Sequence, residues 1–216
     1  MMAAPYIVIG MHRSGTSLLS RVLEKSGIFM GVVKDHNFEA MHFLSLNQQT
    51  LWAAGADWHK PVVPDKIYWK TLPAQVLYHE HFRVQYRLSR YKLWWQKPAW
   101  GWKDPRNTFT LNMWLDLFPQ AKVLHMVRNQ DEVVKSLQKR NTLKAEVFQT
   151  ELEDTAFCQK LWQQYVEQGR SYAHTLGDRY CEVNYQQICG LAPEALEKLE
   201  HFCQRKMTAA LKSIVA

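Results

Sequence analysis

The sequence is poor in cysteine: only four in 216 residues, Cys158, Cys181, Cys189 and Cys203, all in the last third and none in a C-x-x-C pair. That pattern argues against a zinc ribbon or a disulfide framework and reads as core thiols of a reducing compartment. Glycine and proline are equally sparse, nine and eight, without period, so the chain is neither collagen-like nor low-complexity. No apolar run approaches the roughly 20 residues of a membrane-spanning helix. The start, Met1-Met2-Ala3-Ala4, has neither the basic residues nor the apolar centre of a signal peptide, which makes the cytoplasm the default expectation. Metal spacing is lacking too: the histidines of His79-Glu80-His81 are two apart and diverge on a helix, so no metal is expected.

What is present fits one globular domain over residues 1–216, with 47% hydrophobic and 22% charged residues. Twenty-seven Lys and Arg against 20 Asp and Glu give a formal charge of +7, which favours an anionic partner. The basic residues are dispersed and match no nucleic-acid motif, so nucleic acid is not the expected partner.

Short apolar runs at 5–10 (Pro-Tyr-Ile-Val-Ile-Gly), 98–103, 122–127 and 179–184 read as strands. Helical patterns fall at 15–26, 38–53, 73–97, 108–118, 130–140, 154–176 and 193–204. Alternation of the two implies an α/β fold, a P-loop-type parallel sheet flanked by helices. Residues 31–97 interrupt that alternation as a helical, tryptophan-rich insertion, expected to face a substrate. Its tryptophans either anchor the insertion to the sheet or stack on a ligand.

The first strand runs into Gly10-Met-His-Arg-Ser-Gly-Thr-Ser17 and then a helix. Gly10 permits a tight turn, Gly15 lets backbone amides approach an anion, and the helix N-terminus adds its positive dipole. The nucleotide-triphosphate loop places Lys before its last Ser or Thr, where this sequence has Thr16. That argues against a P-loop small-molecule or nucleoside kinase. The positive charge is instead on Arg13, whose planar fork can grip two oxygens of a phosphate or sulfonate. The alternative is an ordinary turn with Arg13 in solvent.

Gly-x-x-Arg-Ser-Gly-Thr-Ser after a buried strand resembles the 5′-phosphosulfate loop of sulfotransferases that use 3′-phosphoadenosine 5′-phosphosulfate (PAPS), notably the bacterial type related to the tyrosylprotein and carbohydrate branch. The resemblance implies that Gly10, His12, Arg13, Ser14, Gly15, Thr16 and Ser17 surround the donor, although His12 could equally face outward. It implies that Arg128 and Ser136, eight residues apart after the 122–127 strand, hold the 3′-phosphate of PAPS or its product PAP. Lys103-Asp104-Pro105-Arg106 is similar to a family segment whose lysine reaches the bridging region of the phosphosulfate. Lys103 could otherwise be a strand-end residue paired to an acid, with Asp104 capping a turn. Tyr185 matches the late Tyr-Glu-Asp-Leu turn and would touch the adenine side, or lie in the core. The family's C-terminal Arg-Lys-Gly loop is not recognisable in Arg205-Lys206-Met207.

The function implied is sulfonyl transfer from PAPS to a hydroxyl or amine acceptor by in-line displacement, with catalytic residues Arg13, Lys103 and a base. Glu39 is the first candidate for the base and His42 the second; on the expected 38–53 helix they lie three apart and share a face. Both could instead sit in solvent or pair with each other. The alternatives are a P-loop small-molecule or nucleoside kinase, against which Thr16 argues, and a noncatalytic nucleotide-binding protein; the acceptor's identity does not follow from the sequence.

Overall fold

The computed structural model describes residues 4–70, 99–143 and 148–215. Its centre is a four-stranded parallel sheet in the order β2-β1-β3-β4, with β1 at Tyr6–Ile9, β2 at Gly101–Lys103, β3 at Lys122–Val127 and β4 at Tyr180–Asn184. All four residues of β1 are buried, as a central strand covered by helices on both faces requires. Alternate side chains part to opposite faces: Tyr6 and Val8 join one apolar cluster, Ile7 and Ile9 the other.

The first face is covered by α1 (Thr16–Lys25), α7 (Pro193–Cys203) and α8 (Thr208–Val215), which bring Leu19, Leu23, Leu199 and Leu211 against Val8, Leu124 and Met126. The second is covered by α2 (Met41–Ala53), α3 (Asn107–Leu117) and the end of α5 (Thr155–Leu176). Here Phe43 stacks on Trp102 with ring centroids 4.0 Å apart, and Trp114 meets both edge-on. Such pairs add about 0.5–1.5 kcal/mol beyond the area they bury. A third cluster joins α4 (Gln130–Leu143) to α5 through Val133, Leu137, Leu161 and Tyr165.

Several expectations shift. The second helix begins at Met41, not near residue 38. A competing local structure takes the preceding turn: the Asp35 carboxylate accepts hydrogen bonds from the backbone N–H of Asn37 at 2.9 Å and of Glu39 at 2.7 Å. Two helices were not anticipated, the short α6 (Tyr185–Cys189) and α8. The N-terminus of α8 is held by Glu200, which accepts from the backbone N–H groups of Met207 and Thr208 and from the Thr208 hydroxyl. These bonds lower the Glu200 pKa to about 2. The expected helix over 73–97, with His79, Glu80, His81, Trp94 and Trp95, lies outside the described residues.

Most described tryptophans between Gly31 and Trp102 are anchors. Trp100 and Trp102 are buried, and buried Trp69 donates its Nε1–H to Asp116 at 3.0 Å. Trp52 is 62% exposed and Trp58 half-buried. His125 on β3 is fully buried, its Nδ1 2.6 Å from the Tyr180 hydroxyl, and burial lowers its pKa to about 4, so it is a neutral core residue at physiological pH. Among the described residues no helix is long and apolar enough to cross a membrane.

Candidate active site

The site lies at the carboxyl ends of β1, β2 and β3, where a parallel sheet opens to its loops. The loop after β1 is folded by three residues in the left-handed region, Gly10 (φ 133°), Arg13 (φ 69°) and Gly15 (φ 90°). A side chain at Gly10 would strike the Met126 carbonyl, and one at Gly15 would strike the Tyr185 ring. The Gly10 N–H is held by Thr108 Oγ1 at 3.0 Å. Helix α1 then starts with no side-chain cap and no acid in its first turn, so its first N–H groups and dipole face the cavity without an internal anion.

One wall gathers residues that are distant in sequence. Arg13 donates from Nε to Ser136 Oγ at 2.9 Å, and Arg128 donates from Nη1 to the Arg13 carbonyl at 3.3 Å. The Arg128 guanidinium pairs with Glu132 at 2.7 Å and lies 4.3 Å over the Tyr185 ring. The bend that brings Arg128 towards Ser136 is set where β3 ends and Asn129 caps α4, its Oδ1 accepting from the Glu132 N–H at 3.3 Å. Arg13, Arg128, Ser136 and Tyr185 thus form one chain of contacts.

The opposite wall is dry. Lys103, 1% exposed at the end of β2, satisfies its ammonium with Glu39 Oε1 at 2.9 Å, the Asn37 carbonyl at 3.0 Å and Ser17 Oγ at 3.4 Å. Ser17 also donates to the Asn37 carbonyl at 2.7 Å, which ties the 35–39 loop to the first turn of α1. The second oxygen of Glu39 faces Arg106 Nη1 at 3.3 Å. Arg106 is braced by Asp104 at 2.9 Å and by Gln48 at 2.8 Å. Beneath them, Asn47 donates to Asp104 and Asn107 at 2.8 Å each and accepts from Thr110 and Trp114. Lys103, Glu39, Asp104, Arg106 and Asn47 are each held by at least two other members of this network, as a buried polar cluster requires. Burial raises the Glu39 pKa, with Lys103 acting against the rise. Burial also works against the charge of Arg106, but Asp104 and Glu39 reverse that and hold its pKa above the ordinary value.

Between the walls is an open cavity of about 290 Å³, lined by Arg13, Lys103, Arg106, Arg128 and Arg140 against the two carboxylates Asp35 and Glu39. His12, Gly15, Thr16, Ser17, Asn37, Leu44 and Pro105 complete the lining. His12 packs against Trp58, ring centroids 4.7 Å apart, and its pKa is lowered first by burial and then by Arg106 and Lys103, which keeps it neutral. Gly10 and the buried Ser14 shape the loop from behind, while Ser136 and Tyr185 reach the site through Arg13 and Arg128.

Two sequence expectations are corrected here. Glu39 does not share a helical face with His42, because α2 starts beyond it; Glu39 enters the cavity from the loop that Asp35 orders. His42 is buried in α2 beside Phe43, ring centroids 5.2 Å apart, and is not part of the cavity lining. Sequence reasoning passed over Asp35, Asn37 and Arg140. Arg140 follows Ser136 by four residues on α4, a spacing that puts both on one face.

Arg205-Lys206 lies at the other end of the sheet. The Tyr6 hydroxyl, at the start of β1, donates to the Cys203 carbonyl at 3.1 Å, and Lys206 pairs with Glu200 at 3.0 Å.

A family model described as the sulfotransferase family matches residues 5–209. The chain belongs to that family. No curated protein matches this sulfotransferase in sequence. Solved structures similar to it include the sulfotransferase domain of the Synechococcus PCC 7002 olefin synthase, at 20% identity and a TM-score of 0.58, covering 97% of this chain and 77% of that one. The sulfotransferase domain of the curacin biosynthetic pathway is similar at 14% identity and a TM-score of 0.62, with the same coverage of 97% and 77%. A sulfotransferase from Alicyclobacillus acidocaldarius gives 13% identity and a TM-score of 0.52 over 100% of this chain and 96% of that one. At these identities the likeness is one of fold, the parallel sheet flanked by helices.

Proposed function

We propose that this sulfotransferase moves a sulfonyl group from PAPS to a hydroxyl or amine acceptor, acting as one domain in the cytoplasm without an obligatory metal. The observation that carries this reading is the contact between Arg13 and Ser136 at the uncapped N-terminus of α1. It joins the loop suited to the 5′-phosphosulfate to the helix suited to the 3′-phosphate, at opposite ends of one donor. In this reading the first amides of α1, Thr16, Ser17 and Arg13 hold the phosphosulfate. Arg128 and Ser136 hold the 3′-phosphate, and Tyr185, under the Arg128 guanidinium, flanks the adenine. The donor trades the Arg13–Ser136 hydrogen bond for one phosphate contact from each partner.

Transfer forms a bond from the acceptor oxygen or nitrogen to sulfur and breaks the bond from sulfur to the bridging phosphate oxygen, with PAP as leaving group. The acceptor proton passes to Glu39, whose burial makes it a stronger base than an ordinary carboxylate. Lys103 is at once a partner of Glu39 and 3.4 Å from Ser17 on the anion-binding turn. A swing of its ammonium towards the departing phosphate would stabilise the charge developing there and leave Glu39 free to take the proton.

Calorimetry with PAP, and with ATP and magnesium, tests the donor, and labelled PAPS with glycans, phenols and lipids tests the transfer. PAP should bind with little dependence on magnesium. Tighter binding of ATP with magnesium than of PAP would overturn the reading.

A further inference from the structure

The charged groups around the cavity divide into paired and unpaired ones. Lys103 and Arg106 are neutralised by Glu39 and Asp104, and Arg128 by Glu132. Among the described residues Arg13 has only a hydroxyl partner at its side chain, and it belongs to the anion-binding loop. That leaves Arg140. It lines the cavity, is half-buried, and has no carboxylate within ion-pair distance among the described residues. Its guanidinium lies 5.5 Å over the ring of Trp58, in the 31–97 segment. Trp58 is in turn fixed by its packing on His12 and by the Tyr165 hydroxyl, which donates to the Trp58 carbonyl at 2.8 Å. A cation that loses water without gaining a counter-charge is costly, and burial with the nearby Arg13 charge lowers the Arg140 pKa accordingly. The His12 ring beside it adds no negative charge, and its Nε2 is buried with no hydrogen-bond partner among the described residues.

We infer that Arg140, backed by Trp58 and His12, is a specificity-determining subsite that receives an anionic group of the acceptor, so that the acceptor is a hydroxy acid or another hydroxyl compound carrying a carboxylate. The inference rests on the PAPS-dependent reading and adds the acceptor class to it. The wall is made by α4 and Trp58, and Arg140 feels the charges of Glu39 and Arg106 as well as that of Arg13. A carboxylate held there would leave the acceptor hydroxyl to turn towards Glu39. Trp58 would give the acceptor's apolar body a surface to lie on.

The test uses PAP-saturated protein titrated calorimetrically with matched pairs, 3-hydroxybutyrate and 4-hydroxyphenylacetate against their methyl esters. The acids should bind about tenfold or more tightly than the esters, the size of one charge-assisted contact. Arg140→Gln, which keeps helix propensity, should erase that preference, and Arg140→Lys should keep part of it. PAP affinity measured on the same variants should change by less than about threefold, a fraction of what one lost phosphate contact costs. Equal binding of acid and ester, or no binding of either at millimolar concentration, overturns the inference. So does a tenfold loss of PAP affinity in Arg140→Gln, which would make Arg140 part of the donor site. A wild-type protein that does not bind PAP overturns the donor reading itself and takes this inference with it.

Discussion

The two walls of the cavity are built on opposite plans. Around Lys103 every charge is paired and all but the partly exposed Arg106 are buried, and the hydrogen bonds run on through Asp104, Asn47 and Trp114 into the core. Around Arg13 the backbone is held in the left-handed region, the guanidinium has one neutral partner among the described residues, and Arg128 is pinned by an exposed carboxylate, a ring face and the Arg13 carbonyl. The first wall is complete in itself, so it keeps its geometry and fixes the Glu39 carboxylate and the Lys103 ammonium against each other. The second is incomplete without an anion. On the proposed function, which binds a highly charged donor and then moves one proton, both have a use, since rigid pairing suits proton transfer and unpaired cations suit capture.

The largest expected effect lies on the dry wall. Glu39→Gln preserves an acceptor for the Lys103 ammonium but not the basicity, so turnover should fall by roughly a hundredfold to ten-thousandfold while PAP affinity stays unchanged. The pH profile supplies a second readout. Only the ionised carboxylate accepts a proton, and burial raises its pKa, so kcat/KM should fall as pH drops through a value above the ordinary carboxylate range. That limb should vanish in the variant. Near-normal turnover in Glu39→Gln would remove Glu39 as the base and make His42→Ala the next variant to measure, although His42 does not line the cavity.

Stability should separate the walls next. Lys103→Ala leaves Glu39 buried with Arg106, 3.3 Å away, as its one remaining cation. Breaking a buried pair in this way costs about 3–5 kcal/mol, and the surviving Arg106 contact points to the lower end. Arg128→Ala removes an exposed pair and a ring contact, which is worth about 1 kcal/mol or less. Urea unfolding of the two variants measures the contrast, and equal losses would mean that the walls do not differ as their pairing suggests.

How much of this could be read from the sequence depends on whether the cause is local. β1 and β3 were legible because strands buried on both faces are mostly apolar, with His125 the buried exception in β3, and the 10–17 loop because a turn with φ above zero at Gly10 and Gly15 tolerates few other residues. α8 was not legible, because its N-terminal bonds come from Glu200, a neighbour in space that no periodicity displays. Glu39 was given the wrong address because the Asp35 carboxylate outcompetes one more turn of helix, a contest that helical phase alone cannot settle. Lys103 and Glu39 each drew attention separately, yet the ion pair that defines them spans 64 residues. Arg140 carries no signal of its own; only Trp58 above it and Arg13 beside it make it unusual.

The smallest of these effects falls on the open wall and concerns affinity alone. Arg128→Ala should erase most of the preference for PAP over AMP, about 1.5–3 kcal/mol for a lost charge-assisted contact, while AMP itself binds much as before. The loss sits at the modest end for a physical reason. In the free protein Arg128 already has Glu132 at 2.7 Å, so a 3′-phosphate gains only the difference between a dianion and an exposed carboxylate that water can replace. The same exchange releases Ser136 from Arg13, which means that the hydroxyl and both guanidiniums reorganise together and that single-site losses need not add. Calorimetry with PAP and AMP on wild type and variant reads the difference directly. A preference that survives Arg128→Ala would put the 3′-phosphate elsewhere and leave the contact between Arg13 and Ser136 without the role given to it here.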